Sequence, residues 1–374
     1  MAVLRVCRGS AACEDEMVLR LQKYGVDTGT LVGSGSVSAA GAGAFDYYIS
    51  PSGDNGDPGT QSEPWATMAY AITQMSGGES LGFLDGTFTE NLPTIPANLT
   101  FEAVNDGAVI FTGTFEPGNA GFTVRGIRVE STNEKILGAG NTYNRMTFAG
   151  GPSSGNTVNS QVGAGTTITE SLLHGLGGRY LLLDYQQNGV TLQDVIFRFD
   201  GGWNDAAEPH AIYNVYNSSG FSGLRLVAVD CLESAAPSSE RLGGQGVNTH
   251  IAVGNAGSAA HCITVDSGSF GRFWHDGQGS HNFTWTDCES YGNGYEYGMT
   301  RNCGGTTTAT RFDTDANTPV DYWDGTINRT SGSQLVLNED FLDDPRWLAE
   351  MKAMRTGSLG AVSSLVDYIN SFRP

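Results

Sequence analysis

The residues able to do chemistry crowd one stretch of the chain. Five of the six histidines fall between positions 210 and 281. The segment GGWNDAAEPH supplies Trp203, Asp205, Glu208 and His210; QGVNTH adds His250; GRFWHDGQGSH adds Arg272, Trp274, His275, Asp276 and His281. Aromatic platforms beside carboxylates and imidazoles are the materials of a carbohydrate site. Glu208 with Asp276, or Asp205 with Asp276, is a candidate acid pair: at roughly 5 Å it would support retaining hydrolysis, and at ~6.5–9.5 Å it would leave room for an attacking water. A lyase or epimerase would instead need a base beside the sugar C5 proton and a cation against the uronate carboxylate, for which Arg241 or Arg272 is available. Glu208, His210 and Asp276 are therefore the candidate catalytic residues, and Trp203, Asp205, His250, Arg272, Trp274 and His275 the candidate substrate contacts. Any one of these histidines, taken singly, would serve equally well in a turn or as a hydrogen-bonded strand residue.

Residues this far apart in sequence meet only if the fold stacks them. Short β-rich segments recur: GFTVRGIRVES, TTITESLLHGLGG, NGVTLQDVIFRFDGG, SGLRLVAVDCLES and SHNFTWTDCESYGNG. Aligning Glu170, Asp194, Asp230 and Asp287 gives separations of 24, 36 and 57, which read as one coil, one coil with an inserted loop, and two coils. A lone strand cannot bury its apolar face, but coils stacked ~4.8 Å apart can. An antiparallel sandwich or barrel would also give short strands bounded by glycine, yet hairpin signals of the Asn-Gly type are sparse. The expectation is an all-β, right-handed parallel β-helix over 45–340. Cys231 and Cys288, each following an aspartate in similar segments, are expected to be stacked core thiols, and no zinc spacing joins the six cysteines.

The start of this body is more specific. YYISPSGDNGDPGTQSEPWATMAYAI at 47–72 reads as a strand, a turn cluster and a helix near 63–76, with N-terminal signals at Ser62, Glu63 and Pro64 and an apolar face of Trp65, Met68, Ala69 and Ile72. This stretch resembles the opening of the pectate-lyase-like family of right-handed β-helices, in which the helix covers the first coil. The His-Ala-Ile-Tyr element at His210 likewise resembles a His-Gly-Ile-Tyr strand of that family, which is what raises His210 among the histidines. The resemblance implies a carbohydrate-related role and does not extend to an active site, because no calcium-binding aspartate cluster with a basic partner stands out. Asp54 and Asp57 are a weak calcium candidate, better explained as turn formers. No other cofactor is expected.

Charge narrows the partners. The formal net charge is −20, and only three residues are lysine, Lys23, Lys135 and Lys352. A nucleic-acid partner is not expected, since such binding needs clustered cations. No run of ~18 apolar residues would span a membrane, and Arg5, Arg8 and the acidic Glu14, Asp15 and Glu16 interrupt any Sec-type signal. Residues 14–24 suggest a short amphipathic helix, followed by a Gly/Ala/Ser-rich tether to residue 44. Residues 341–374 hold two amphipathic helical segments, expected either to close the open end of the solenoid or to join copies of the chain, a trimer among the options. These features suit a phage virion surface protein, a tail spike or head fibre at the virion surface, that docks on other virion proteins through residues 1–44 and binds host surface polysaccharide, with or without degrading it. A free extracellular polysaccharide lyase, epimerase or glycoside hydrolase is the alternative, and a non-catalytic decoration or adhesion module is a third reading.

Overall fold

Parallel strands stacked in register build a right-handed β-helix. A 17-stranded and a 6-stranded sheet account for it, and each named strand pairing is parallel. This computed structural model describes residues 45–374 apart from 119–120, 134, 151–157, 176–179, 186, 200–209, 216–218, 231–244, 251–255, 267–273, 276–281, 293–305, 315–325 and 355–357. The docking element and tether expected at 1–44 lie outside the described residues, as does Cys231.

The coil from Gly165 to Tyr185 shows how sequence sets the path. Gly165 turns the chain at φ +68° and stacks on equivalent glycines, Gly140 before it and Gly189 after it, at φ +73° and +75°. Strand Thr167–Gly175 then crosses two faces of the helix by bending at Glu170, φ +47°. Strand Tyr180–Tyr185 forms the third face. Alternation directs Ile168 and Leu173 inward, and the parallel register stacks Ile168 on Tyr143 and Leu192. Near the first coils this interior is aromatic: Phe83, Phe101, Phe122 and Tyr143 follow one another with centroids 5.9–6.4 Å apart. Each such ring contributes roughly 1.5–3 kcal/mol by leaving water.

The bend at Glu170 recurs on successive coils at Arg145, Asp194, Arg225, His261, Asp287 and Arg311, all at φ between +52° and +56°. The register pairs Gln193 with Leu224 and Val195 with Leu226, so Asp194 is level with Arg225. The alignment of Asp230 with Glu170, Asp194 and Asp287 is thereby corrected. Asp230 lies five residues further on, at a later left-handed position of φ +48°, and its coil has Arg225 at the bend. Of the expected core thiols, Cys288 is fully buried and lies over Cys262, likewise fully buried, and both are free.

Helix α1, Met68–Gln74, is shorter than the sequence suggested. Thr67 caps it by accepting from the Tyr70 amide, and the Glu90 carboxylate accepts from the Met68 amide at 2.6 Å. Trp65 precedes the helix, stacked on Tyr47 with its Nε1 donating to the Asp57 carbonyl at 2.9 Å. Met68 and Ala71 share a buried cluster with Leu81, Phe83 and Phe88, so α1 closes the interior at the first coil.

The C-terminal segment does not cover the other end. Helices α2 (Glu339–Leu342), α3 (Pro345–Met354) and α4 (Leu365–Asn370) lie along the outside of the second face. Gln334 and Val336 meet the coils of Asp287 and His261, Arg346 reaches Asp106, and the chain then returns to Glu289 through Arg373. It is a strap along the stack. Leu172, Ile196, Val227 and Ile263, outward-facing on their strands, bury Trp347, Met351, Leu365 and Ile369.

Under the strap, Glu350 accepts from Arg128 at 2.6 Å and bonds the Nε2 of His174 at 3.0 Å. Burial alone would raise the Glu350 pKa from its ordinary 4.5, but the bonds and charges of His174 and Arg128 outweigh it and hold the value at about 2. A depressed carboxylate stabilises the fold above its unfolded pKa and loses that contribution as pH falls through the folded one. Urea midpoints are therefore expected to drop between pH 4.5 and 2, and Glu350→Gln to flatten part of that slope. Equal slopes for both proteins would remove this ion pair from the acid response.

Candidate functional site

The third face carries the predicted site residues that the structure describes. Its strands run Lys135–Leu137, Val158–Val162, Tyr180–Tyr185, His210–Val215, Gln245–His250 and Trp274–His275, all parallel. Trp274 is level with Asn248, which is level with Tyr213; His275 is level with Thr249; His250 is one residue further along. Adjacent coils stand ~4.8 Å apart and residues advance ~3.3 Å along a strand, so the backbones of His250, Trp274 and His275 fall within about 10 Å of one another. His210 opens its strand level with Gln245, five positions before His250, which sets it roughly 16 Å away along the strand direction. Thus the fold gathers three of the predicted residues on two neighbouring strands and places His210 on the same sheet at its other margin. Trp203, Asp205, Glu208, Arg241, Arg272, Asp276 and His281 lie outside the described residues. At the start of this sheet Ile136 is exposed and Gln161 half-exposed, in the row that register continues to Tyr213 and Trp274.

A second polar assembly was not anticipated. Along the bend between the first two faces, Asp194 accepts from Arg225 at 2.6 and 2.7 Å, and Asp287 from Arg311 at 2.5 and 2.6 Å. The Arg311 hydrogen bonds, helped by the Gln334 amide against the opposing effect of burial, hold Asp287 at a pKa of about 2. A cleft of about 210 Å³ lies where this bend meets the strap, lined by Arg145, Glu170, Asn338, Asp340, Asp344 and Arg346 among others. Arg346 grips Asp344 at 2.7 Å and lies 4.6 Å over the Trp347 ring, while Arg145 pairs with Asp106. Asp287 and Asp344, held below the usual carboxylate range by these partners, anchor the strap and are poorly disposed to exchange protons. The charged residues at intervals of 24 to 36 were the available signal for this ladder.

Asp54 and Asp57 sit in a hydrogen-bonded turn. The Asp54 carboxylate accepts from the Gly56 amide at 2.8 Å, and the Asp54 carbonyl from the Asp57 amide at 3.0 Å, which is turn chemistry. Among the described residues no group of three His, Cys, Asp or Glu side chains gathers there or elsewhere. Among those residues, too, no helix is long and apolar enough to cross a membrane.

These ladders, with their glycine turns and their one-residue bends, define the class by its fold: a right-handed parallel β-helix. No protein-family model matches the sequence, and no curated protein sequence does. Solved structures similar to the chain include pectate lyase Pel9A, at 14% identity over 78% of this chain and 89% of that one, TM-score 0.49. A rhamnogalacturonan lyase aligns at 13% identity over 85% and 94%, TM-score 0.42. The GH136 lacto-N-biosidase from Eubacterium ramulus aligns at 10% over 77% and 67%, TM-score 0.35.

Proposed function

We propose that this protein is a virion surface protein, a tail spike or head fibre, whose third face binds host surface polysaccharide. The observation that supports the reading is the register that brings His250, Trp274 and His275 together beside Tyr213 and Asn248 on one sheet. An indole at Trp274 and an imidazole at His250, positions of the same parity on neighbouring coils, give a sugar ring a stacking surface and a nearby hydrogen-bonding group. Glu208 and Asp276 are assigned the acid and base roles of glycan cleavage, with His210 assisting, and residues 1–44 the docking of a homotrimer onto other virion proteins.

The test uses the full chain and polysaccharide extracted from candidate host cells. Titration calorimetry should show binding that Trp274→Ala weakens by about tenfold, roughly 1.4 kcal/mol. Release of reducing ends or of unsaturated products should vanish in Glu208→Gln and Asp276→Asn. Binding that survives Trp274→Ala and His250→Ala unchanged would reject the third face as the glycan site; binding without product release would make the protein a non-catalytic adhesin.

A further inference from the structure

The first face carries a pattern that the site above leaves unused. Its register makes a single row of Ser80, Thr100, Thr123, Thr142 and Thr167, each level with the next. The row continues without a break through Thr191, Ser222, Ser258 and Thr284 to Thr308. Ten successive strands thus present a hydroxyl at one register position, and all ten residues are partly or wholly exposed. With strands ~4.8 Å apart, the row is about 43 Å long.

Threonine is common on solvent-facing strands, so β-propensity is the first explanation to test. The same strands supply a control. Two residues further along, on the same face, the register holds three threonines, Thr169, Thr286 and Thr310, but also Glu102, Arg125, Asn144, Gln193, Leu224 and Ala260, which share neither charge, size nor polarity. Propensity acts on both rows alike, but the restriction to hydroxyls is confined to one. Nor, apart from Ser80, do the hydroxyls tie one part of the fold to another. Ser80 donates to Asp46 at 2.8 Å, whereas among the described residues no side-chain hydrogen bond joins Thr100, Thr123, Thr142, Thr167, Thr191 or the rest of the row to one another.

We infer that this row is a docking track for an extended, neutral polysaccharide chain lying parallel to the helix axis. Its shape, ten coils long and one residue wide, fits a linear polymer better than a two-dimensional lattice. Its chemistry fits a polyol, because a hydroxyl both donates and accepts and so matches a repeating sugar hydroxyl in either orientation. No charged residue occupies it, and the chain carries −20 overall, which opposes a polyuronate. The inference rests on the polysaccharide reading above but adds a second surface on a different sheet.

Affinity gel electrophoresis of the full chain, with soluble starch, hydroxyethyl cellulose or dextran cast in the gel and polygalacturonate as the charged control, tests it. Retardation by a neutral polymer and not by polygalacturonate is expected. The combined variant Thr142→Val, Thr167→Val and Thr191→Val keeps shape and strand preference while removing three hydroxyls, and its apparent affinity should fall about tenfold. Thr286→Val, in the neighbouring row, should behave as the unaltered chain. Unchanged retardation of the triple variant overturns the track, as does equal or stronger retardation by polygalacturonate. If Trp274→Ala abolishes host-polysaccharide binding while the triple variant is retarded normally, the third-face reading stands and the track falls; if no polysaccharide of any kind binds, both fall.

Discussion

Arg198→Met is expected to lower unfolding stability by about 3–5 kcal/mol, because it leaves a buried carboxylate without its counter-charge. Both members of the pair are fully buried, with Arg198 donating to Asp230 at 2.8 and 3.1 Å. The guanidinium also donates to the Met351 carbonyl of α3, so the substitution cuts a polar tie between strap and stack as well. Urea denaturation measures the loss, seen as a lower midpoint with an unchanged slope. Adding Asp230→Asn should recover much of it, since asparagine tolerates the left-handed backbone at that position and carries no charge. A shift below about 1 kcal/mol would mean that the pair is solvated in solution.

Trp347→Ala should cost a similar ~3–5 kcal/mol through the cavity it opens. Trp347 is 1% exposed and fills the strap interface, 5.7 Å from Phe341 and in the cluster with Leu172, Ile196 and Val227. Its loss should act locally first. Limited proteolysis is expected to cut residues 331–374 much faster than in the unaltered chain while the coils stay protected, and Trp347→Phe should restore most of the resistance. Equal cleavage rates for Trp347→Ala and the unaltered chain would show that the strap is held mainly by its ion pairs.

The coil rhythm was legible because stacking leaves a periodic trace. Glycines at φ > 0 and alternating apolar residues recur wherever a coil turns and fills. The exact register was not legible. These left-handed bends hold Asp, Arg, Glu and His alike, so matching acid to acid aligned Asp230 with the wrong bend and hid Arg225 and His261. The strap's apolar stripe was likewise visible in Trp347, Leu348 and Met351, but its target was read as the solenoid's end or another copy of the chain. The missed signal lay in the strands: LL at 172–173, VIF at 195–197 and LVAV at 226–229 are apolar at consecutive positions, the mark of a sheet buried on both sides. Of the candidate site, sheet membership follows from coil stacking, whereas the separation of His210 from His250 depends on strand register, which loop lengths conceal.

The strap changes how the stack comes apart. Coils that touch only their neighbours behave as a one-dimensional array, able to fray from an end one unit at a time. Here one continuous segment is bonded to the coils of Asp106, Arg128, Arg198, Asp266 and Glu289. Losing any one coil therefore strips contacts from a ligature shared by the others, and the free energy of a frayed state rises with every coil the ligature spans. A modular repeat is converted into a single cooperative unit by about forty residues of non-repeating sequence at its end.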